Sequence, residues 1–107
     1  MKVRELIKDQ AFRLIVDGNL EEEITGCYCG DLLSWVMAHI KPQNAWCTVL
    51  NHVNIVAVAS LTQVSCIIIC EDAPLDETTL SKAKQEKINI ITTSLTSAEV
   101  ARRILNG

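Results

Sequence analysis

The chain has 107 residues, 49% of them hydrophobic and 21% charged, a balance that suits one domain around one core and excludes a disordered tail. A formal net charge of −3 and the lack of any Lys or Arg between Lys41 and Lys82 speak against nucleic acid, whose binding draws on clustered cations. Met1 to Asp9 mixes both charge signs and does not read as a signal peptide, and the apolar runs Ile55 to Ala59 and Cys66 to Cys70 fall far short of the ~20 residues of a membrane span. The expectation is a soluble cytoplasmic protein with neither a nucleic-acid nor a membrane partner.

In chain order, Val3 to Ile7 predicts a helical turn and Phe12 to Val16 a strand, free to pair at either margin of a sheet and ended by Asp17-Gly18-Asn19. Ile24 to Cys29 predicts a strand. Gly30-Asp31 then opens a helix whose apolar residues Leu32, Leu33, Val36, Met37 and Ile40 recur at helical spacing, until Lys41-Pro42 stops it. Trp46 to Leu50 is β-rich, and Asn51 to Asn54 supply oxygens to cap a buried helix over Ile55 to Leu61. Cys66 to Cys70 has the continuous apolar character of a central parallel strand. Leu75 and Leu80 flank Asp76 as a staple around an N-cap. Ile88 to Thr92 predicts the last strand, and Thr96-Ser97-Ala98-Glu99 is a capping box for the last helix.

Successive strand-then-helix units require crossovers between parallel neighbours. The predicted class is therefore α/β: residues 1–107 as a single three-layer-like domain with a mainly parallel central sheet of four to five strands and flanking helices.

In such a sheet the strand exits and helix N-termini share one edge, where backbone N–H groups face solvent and ligands bind. That edge collects Gly30, Asp31, Asn51, His52, Asn54, Glu71, Asp72, Thr92, Thr93 and Ser94 as candidate ligand-binding residues. The same residue types also serve caps and turns. No Lys or Arg belongs to the set and no Gly-rich phosphate cradle is present. His52 is a candidate acid or base, or equally a turn histidine. Trp35 and His39, one turn apart and outside the main apolar stripe, are candidate interface residues.

An odd count of five cysteines argues for reduced thiols rather than a disulfide framework. Cys27 and Cys29 share one face of their strand, and Cys66 and Cys70 one face of theirs, so a four-thiolate cluster is conceivable. Yet C-x-C and C-x-x-x-C within strands lack the knuckle spacing of metal sites and suit small buried hydrophobes. No metal, cofactor or catalytic residue is expected on this reading. Glu21-Glu22-Glu23 reads as a solvated loop.

The strings Gly26-Cys27-Tyr28-Cys29-Gly30-Asp31-Leu32-Leu33-Ser34-Trp35-Val36-Met37-Ala38 and His52-Val53-Asn54-Ile55-Val56-Ala57-Val58-Ala59 resemble compact stand-alone members of the DRTGG domain family, and the likeness runs on through Thr92-Thr93-Ser94-Leu95 to Ile104. The resemblance implies an α/β module with a regulatory or dimerising role. Compact relatives often accompany iron-hydrogenase or redox-complex genes. Where the family's name string would stand, this chain has Asn51-His52 and Cys70-Glu71-Asp72.

Residues and resemblance together lead to a non-catalytic regulatory or sensor module. It would be homodimeric and bind a nucleotide-like or other small ligand at the strand-exit edge. A purely structural subunit of a larger redox or metabolic enzyme complex is the alternative, ahead of a cysteine-based metal or redox protein using Cys27, Cys29, Cys66 and Cys70 or His52.

Overall fold

The computed structural model describes residues 1–106. Its elements are α1 (Val3–Leu6), β1 (Arg13–Val16), β2 (Gly26–Cys29), α2 (Leu33–His39), β3 (Asn44–Thr48), α3 (Asn54–Thr62), β4 (Cys66–Ile69), α4 (Glu77–Glu86), β5 (Ile90–Thr92) and α5 (Ser97–Asn106). They build a five-stranded sheet in the order β1-β5-β4-β3-β2. β2 to β5 run parallel, and β1 closes the far margin antiparallel to β5, pairing Arg13 with Thr92 and Leu14 with Ile91. The α/β class is as the sequence predicts, and the open question of the first strand is answered at the β5 margin. Among the described residues no helix is long and apolar enough to cross a membrane.

Alternation along the strands separates two cores. Trp46, Ile67, Ile69 and Ile90 turn toward α2, α3 and α4, where Val36, Ile55, Val56, Ala59 and Ala83 meet them. Ala45, Cys47, Cys66, Ile68 and Ile91 turn to the other face, against Val3 and Leu6 of α1 and Val100 of α5. β4 lies between two strands and between two helix layers, so all four of its residues are buried. This is why it is the most apolar segment of the chain.

The C-terminal helices start as their sequences dictate. Asp76 Oδ1 accepts from the Thr79 N–H at 2.8 Å. Thr96 Oγ1 accepts from the Glu99 N–H at 3.2 Å while Glu99 Oε1 accepts from the Thr96 N–H at 3.1 Å, completing the capping box. The oxygen cap expected of Asn51 to Asn54 is not formed: Val53 holds the N-cap position of α3 with no side-chain bond, the Asn54 N–H goes to the His52 ring nitrogen, and Asn51 Oδ1 instead accepts from the Asp76 N–H at 3.1 Å. Asn51 thus joins two successive crossovers.

Three boundaries differ for local reasons. β3 begins and ends two residues earlier than expected, because the Val49 N–H leaves the ladder for Asp31 Oδ1 at 2.9 Å. β2 starts only at Gly26, since the Ile24 N–H donates to the Met1 carbonyl at 2.7 Å. β5 starts at Ile90 because the Ile88 N–H still caps α4, bonding the Ala83 carbonyl at 3.0 Å. The helix α2 also departs from expectation: of its apolar stripe only Val36 and Ile40 are buried, whereas Leu32 and Met37 are exposed. It packs beside α3, and its buried Val36 and Ile40 join the core that holds Trp46 of β3 and Tyr28 of the marginal strand β2.

Candidate functional site

The parallel strands do gather their exits at one edge, and there the β2–α2 turn, the end of β3, the β4–α4 turn and the first turn of α5 enclose a niche of about 190 Å³. Cys29, Gly30, Asp31, Cys47, Thr48, Val49, Glu71 and Ser97 line it. Three predicted site residues, Gly30, Asp31 and Glu71, come together here. A larger cavity of about 770 Å³ opens between α1 and α5, but its Arg103 is already paired with Asp9 at 2.7 Å.

Gly30 sits closely packed against its neighbours. A Cβ there would meet Val36 Cγ2 at 3.1 Å and Tyr28 Cε2 at 3.3 Å, so a side chain fits only if these two give by a few tenths of an ångström, and the Gly30 carbonyl accepts the indole N–H of buried Trp46 at 3.0 Å. Asp31 Oδ1 accepts from Thr48 Oγ1 at 2.7 Å and from the Val49 N–H at 2.9 Å, so this oxygen ties the β2–α2 turn to the end of β3. Glu71 and Asp72 both have positive φ, held by their N–H groups bonding the carbonyls of Leu95 and Thr93 at 3.0 Å each.

The remaining predicted residues serve turns outside the niche. His52 Nδ1 accepts from the Asn54 N–H at 3.1 Å, opening α3 on the other side of the sheet. Thr93 is buried, its hydroxyl donating to the Ala11 carbonyl at 2.7 Å and accepting from the Leu95 N–H at 3.2 Å. Thr92 ends β5 half-buried, and Ser94 lies in the exposed turn after it.

The niche has two carboxylates and no cation in its lining, which favours a cationic or neutral guest over a phosphate. It also has thiols. The parallel register sets Cys29 opposite Cys47, and the Sγ atoms of Cys27, Cys29 and Cys47 all lie within 4.8 Å of one another. Cys27 and Cys47 are 3.3 Å apart, and Cys29 Sγ donates to the Ser97 carbonyl at 3.7 Å. The four-thiol set weighed from sequence, Cys27, Cys29, Cys66 and Cys70, is therefore corrected: Cys47 is the missing partner and Cys66 lies fully buried outside the group. The signal was present as a cysteine near the end of two successive parallel strands, but only the register shows that they meet.

Within the group Cys27 is the readier to ionise. The thiol of Cys47 hydrogen-bonds it and holds it below the ordinary cysteine value, while the same bond raises Cys47. Burial raises Cys29 and Cys66.

Away from the niche, Trp35 and His39 stand on the outer flank of α2 as expected. Their rings stack with centroids 4.1 Å apart, His39 Nδ1 is 2.8 Å from the Trp35 carbonyl, and Trp35 is 58% exposed.

The fold is an α/β module with a mainly parallel sheet whose strand exits border a small niche, the edge where such sheets take ligands. The model of the DRTGG domain family matches residues 14–106, and the chain belongs to that family of regulatory-type domains. A comparison with curated proteins finds none that matches.

Proposed function

We propose that the chain is a non-catalytic regulatory module that acts as a homodimer and senses a small ligand in the strand-exit niche. The observation that carries this reading is the niche itself, built from three separate βα turns and the first turn of α5, so that a guest there touches four elements at once. Its volume is below the ~300 Å³ at which drug-sized ligand pockets begin. A nucleotide-like ligand would therefore insert only one end. The oxygen and thiol lining supports a guest that is not anionic.

Self-association is supported by α2, whose Leu32, Trp35 and Met37 leave an apolar flank uncovered. Trp35 braced on His39 is the type of rigid aromatic anchor that dominates interfaces. A structural subunit docking on a larger redox or metabolic enzyme complex would use the same flank, and it predicts a monomer when the chain is alone. Five free cysteines fit a reducing, cytoplasmic setting.

Sedimentation and thermal melting test the proposal together. Wild type should be a dimer and Trp35→Glu a monomer with nearly unchanged secondary structure. A niche ligand should raise the melting temperature by mass action. A wild-type monomer at all concentrations whose melting responds to no nucleotide, small metabolite or metal ion would overturn the reading.

A further inference from the structure

We infer that the niche takes a thiophilic metal ion, bound by the thiolates of Cys27, Cys29 and Cys47. This rests on the regulatory reading of the niche and names its ligand class. Three thiolates around one ion at a metal–sulfur distance of about 2.3 Å stand roughly 3.8 to 4.0 Å from each other. The three Sγ atoms here already lie within 4.8 Å, with one pair at 3.3 Å. Shifts of well under 1 Å in side-chain position are enough to close the site.

The backbone holds the ligands in this relation. Cys27 and Cys29 alternate onto the same face of β2, and the ladder pairs Cys29 directly with Cys47 of β3. Access is graded: Cys47 is buried, Cys27 half-buried and Cys29 exposed, so an ion enters past Cys29. Of the three, Cys29 and Cys47 line the niche itself, where Glu71 adds negative charge and no Lys or Arg competes. Cys70 is not one of the three thiols within 4.8 Å of one another; its thiol donates to the Ile68 carbonyl at 3.6 Å and also interacts with Cys47, which holds Cys70 below the ordinary cysteine value and adds to the rise of Cys47. Soft thiolate ligands select Cu⁺ and Zn²⁺ over the harder Mg²⁺ and Ca²⁺. Binding needs no oxidant: each thiol that coordinates gives its proton to solvent, and the ion exchanges its waters for sulfur.

Reduced wild-type protein, stripped of metal and kept anaerobic, is titrated with Co²⁺ as a visible reporter, then with Zn²⁺, Cu⁺ and Mg²⁺. The expected result is one Co²⁺ per chain with a sulfur-to-metal charge-transfer band that Zn²⁺ or Cu⁺ removes and Mg²⁺ does not. Cys29→Ser, at an exposed position that leaves the core intact, should weaken binding by at least the roughly 10- to 100-fold that follows from losing even an outer partner of a ligand. Cys66→Ala, outside the set, should leave it within about threefold on the same scale. A folded, reduced wild type with no such band, or binding equal in Cys29→Ser and wild type, overturns the inference. Sedimentation of the same samples separates the two proposals: a dimer whose melting responds to another small ligand but not to these metals removes the metal and leaves the regulatory module standing.

Discussion

Asp31 was a candidate ligand residue, and the structure gives it a tie to maintain, so the substitution Asp31→Ala distinguishes the two roles. It deletes the acceptor shared by Thr48 Oγ1 and the Val49 N–H. A hydrogen bond to a charged group contributes about 1.5–3 kcal/mol net, and a buried donor left without its acceptor costs about 1–3 kcal/mol. Val49 lies at the surface and water replaces much of its bond, whereas Thr48 is 2% exposed and its hydroxyl loses the acceptor it uses. The expected loss is therefore about 3 kcal/mol, most of it through Thr48. At roughly 4 °C per kcal/mol for a domain of this size, melting should fall by about 12 °C. Asp31→Asn keeps an acceptor oxygen and should lose about half as much. Circular dichroism melts and urea titrations with an unchanged m-value measure both. An Asp31→Ala protein melting within about 2 °C of wild type would refute the tie, since a fall that small is well under 1 kcal/mol.

Asn89 is a stronger test of the same logic away from the niche. Its buried amide accepts from the Gly18 N–H at 2.7 Å and donates to the carbonyls of Asn19 and Ser65 at 2.8 and 3.0 Å. Asn89→Ala should cost about 3 kcal/mol or more in urea unfolding, and a loss under about 1 kcal/mol would contradict the reading. Acid should also destabilise the fold in a directed way. Asp76 and Glu99 are held below the ordinary carboxylate range by the backbone N–H groups of Thr79 and Thr96, Glu21 by Arg4 and Lys2, and Asp9 chiefly by the Ala11 N–H. Because these folded-state values are lowered, their contribution is complete above the unfolded carboxylate pKa near ~4 and is lost as pH falls through the lower folded values. Asp76→Asn, which can still cap but cannot titrate, should flatten the acid limb of a melting-versus-pH series; an unchanged limb would count against the cap.

What could be read from the chain was local. The caps at Asp76 and Thr96 and the apolar run of β4 depend on neighbours a few residues away, and they appear where periodicity places them. Errors came where distant residues compete for the same group. Asn51 was expected to cap its own helix, yet Asp76, 25 residues on, takes its oxygen. The apolar stripe of α2 carries no mark that its Leu32 and Met37 would stay uncovered. The niche was legible as an edge but not as a set of contacts, because turn residues on opposite faces of a sheet are indistinguishable in sequence. His52 and Asn54 fall on one side and Glu71 and Gly30 meet near the other. The thiol group needed the β2–β3 register, which aligns two cysteines 18 residues apart.

Every left-handed bend among the described residues is made by a side-chain-bearing residue: Gln43, Gln63, Glu71, Asp72 and Lys87. Gln63 and Lys87 end α3 and α4, at the end of the sheet where the parallel strands begin, opposite the niche. Such positions usually fall to glycine, and other residues endure about 1–2 kcal/mol of conformational strain there. The domain therefore carries slack that glycine at those two helix ends would release, giving an evolving lineage or a protein engineer tolerance for costly changes where guests bind.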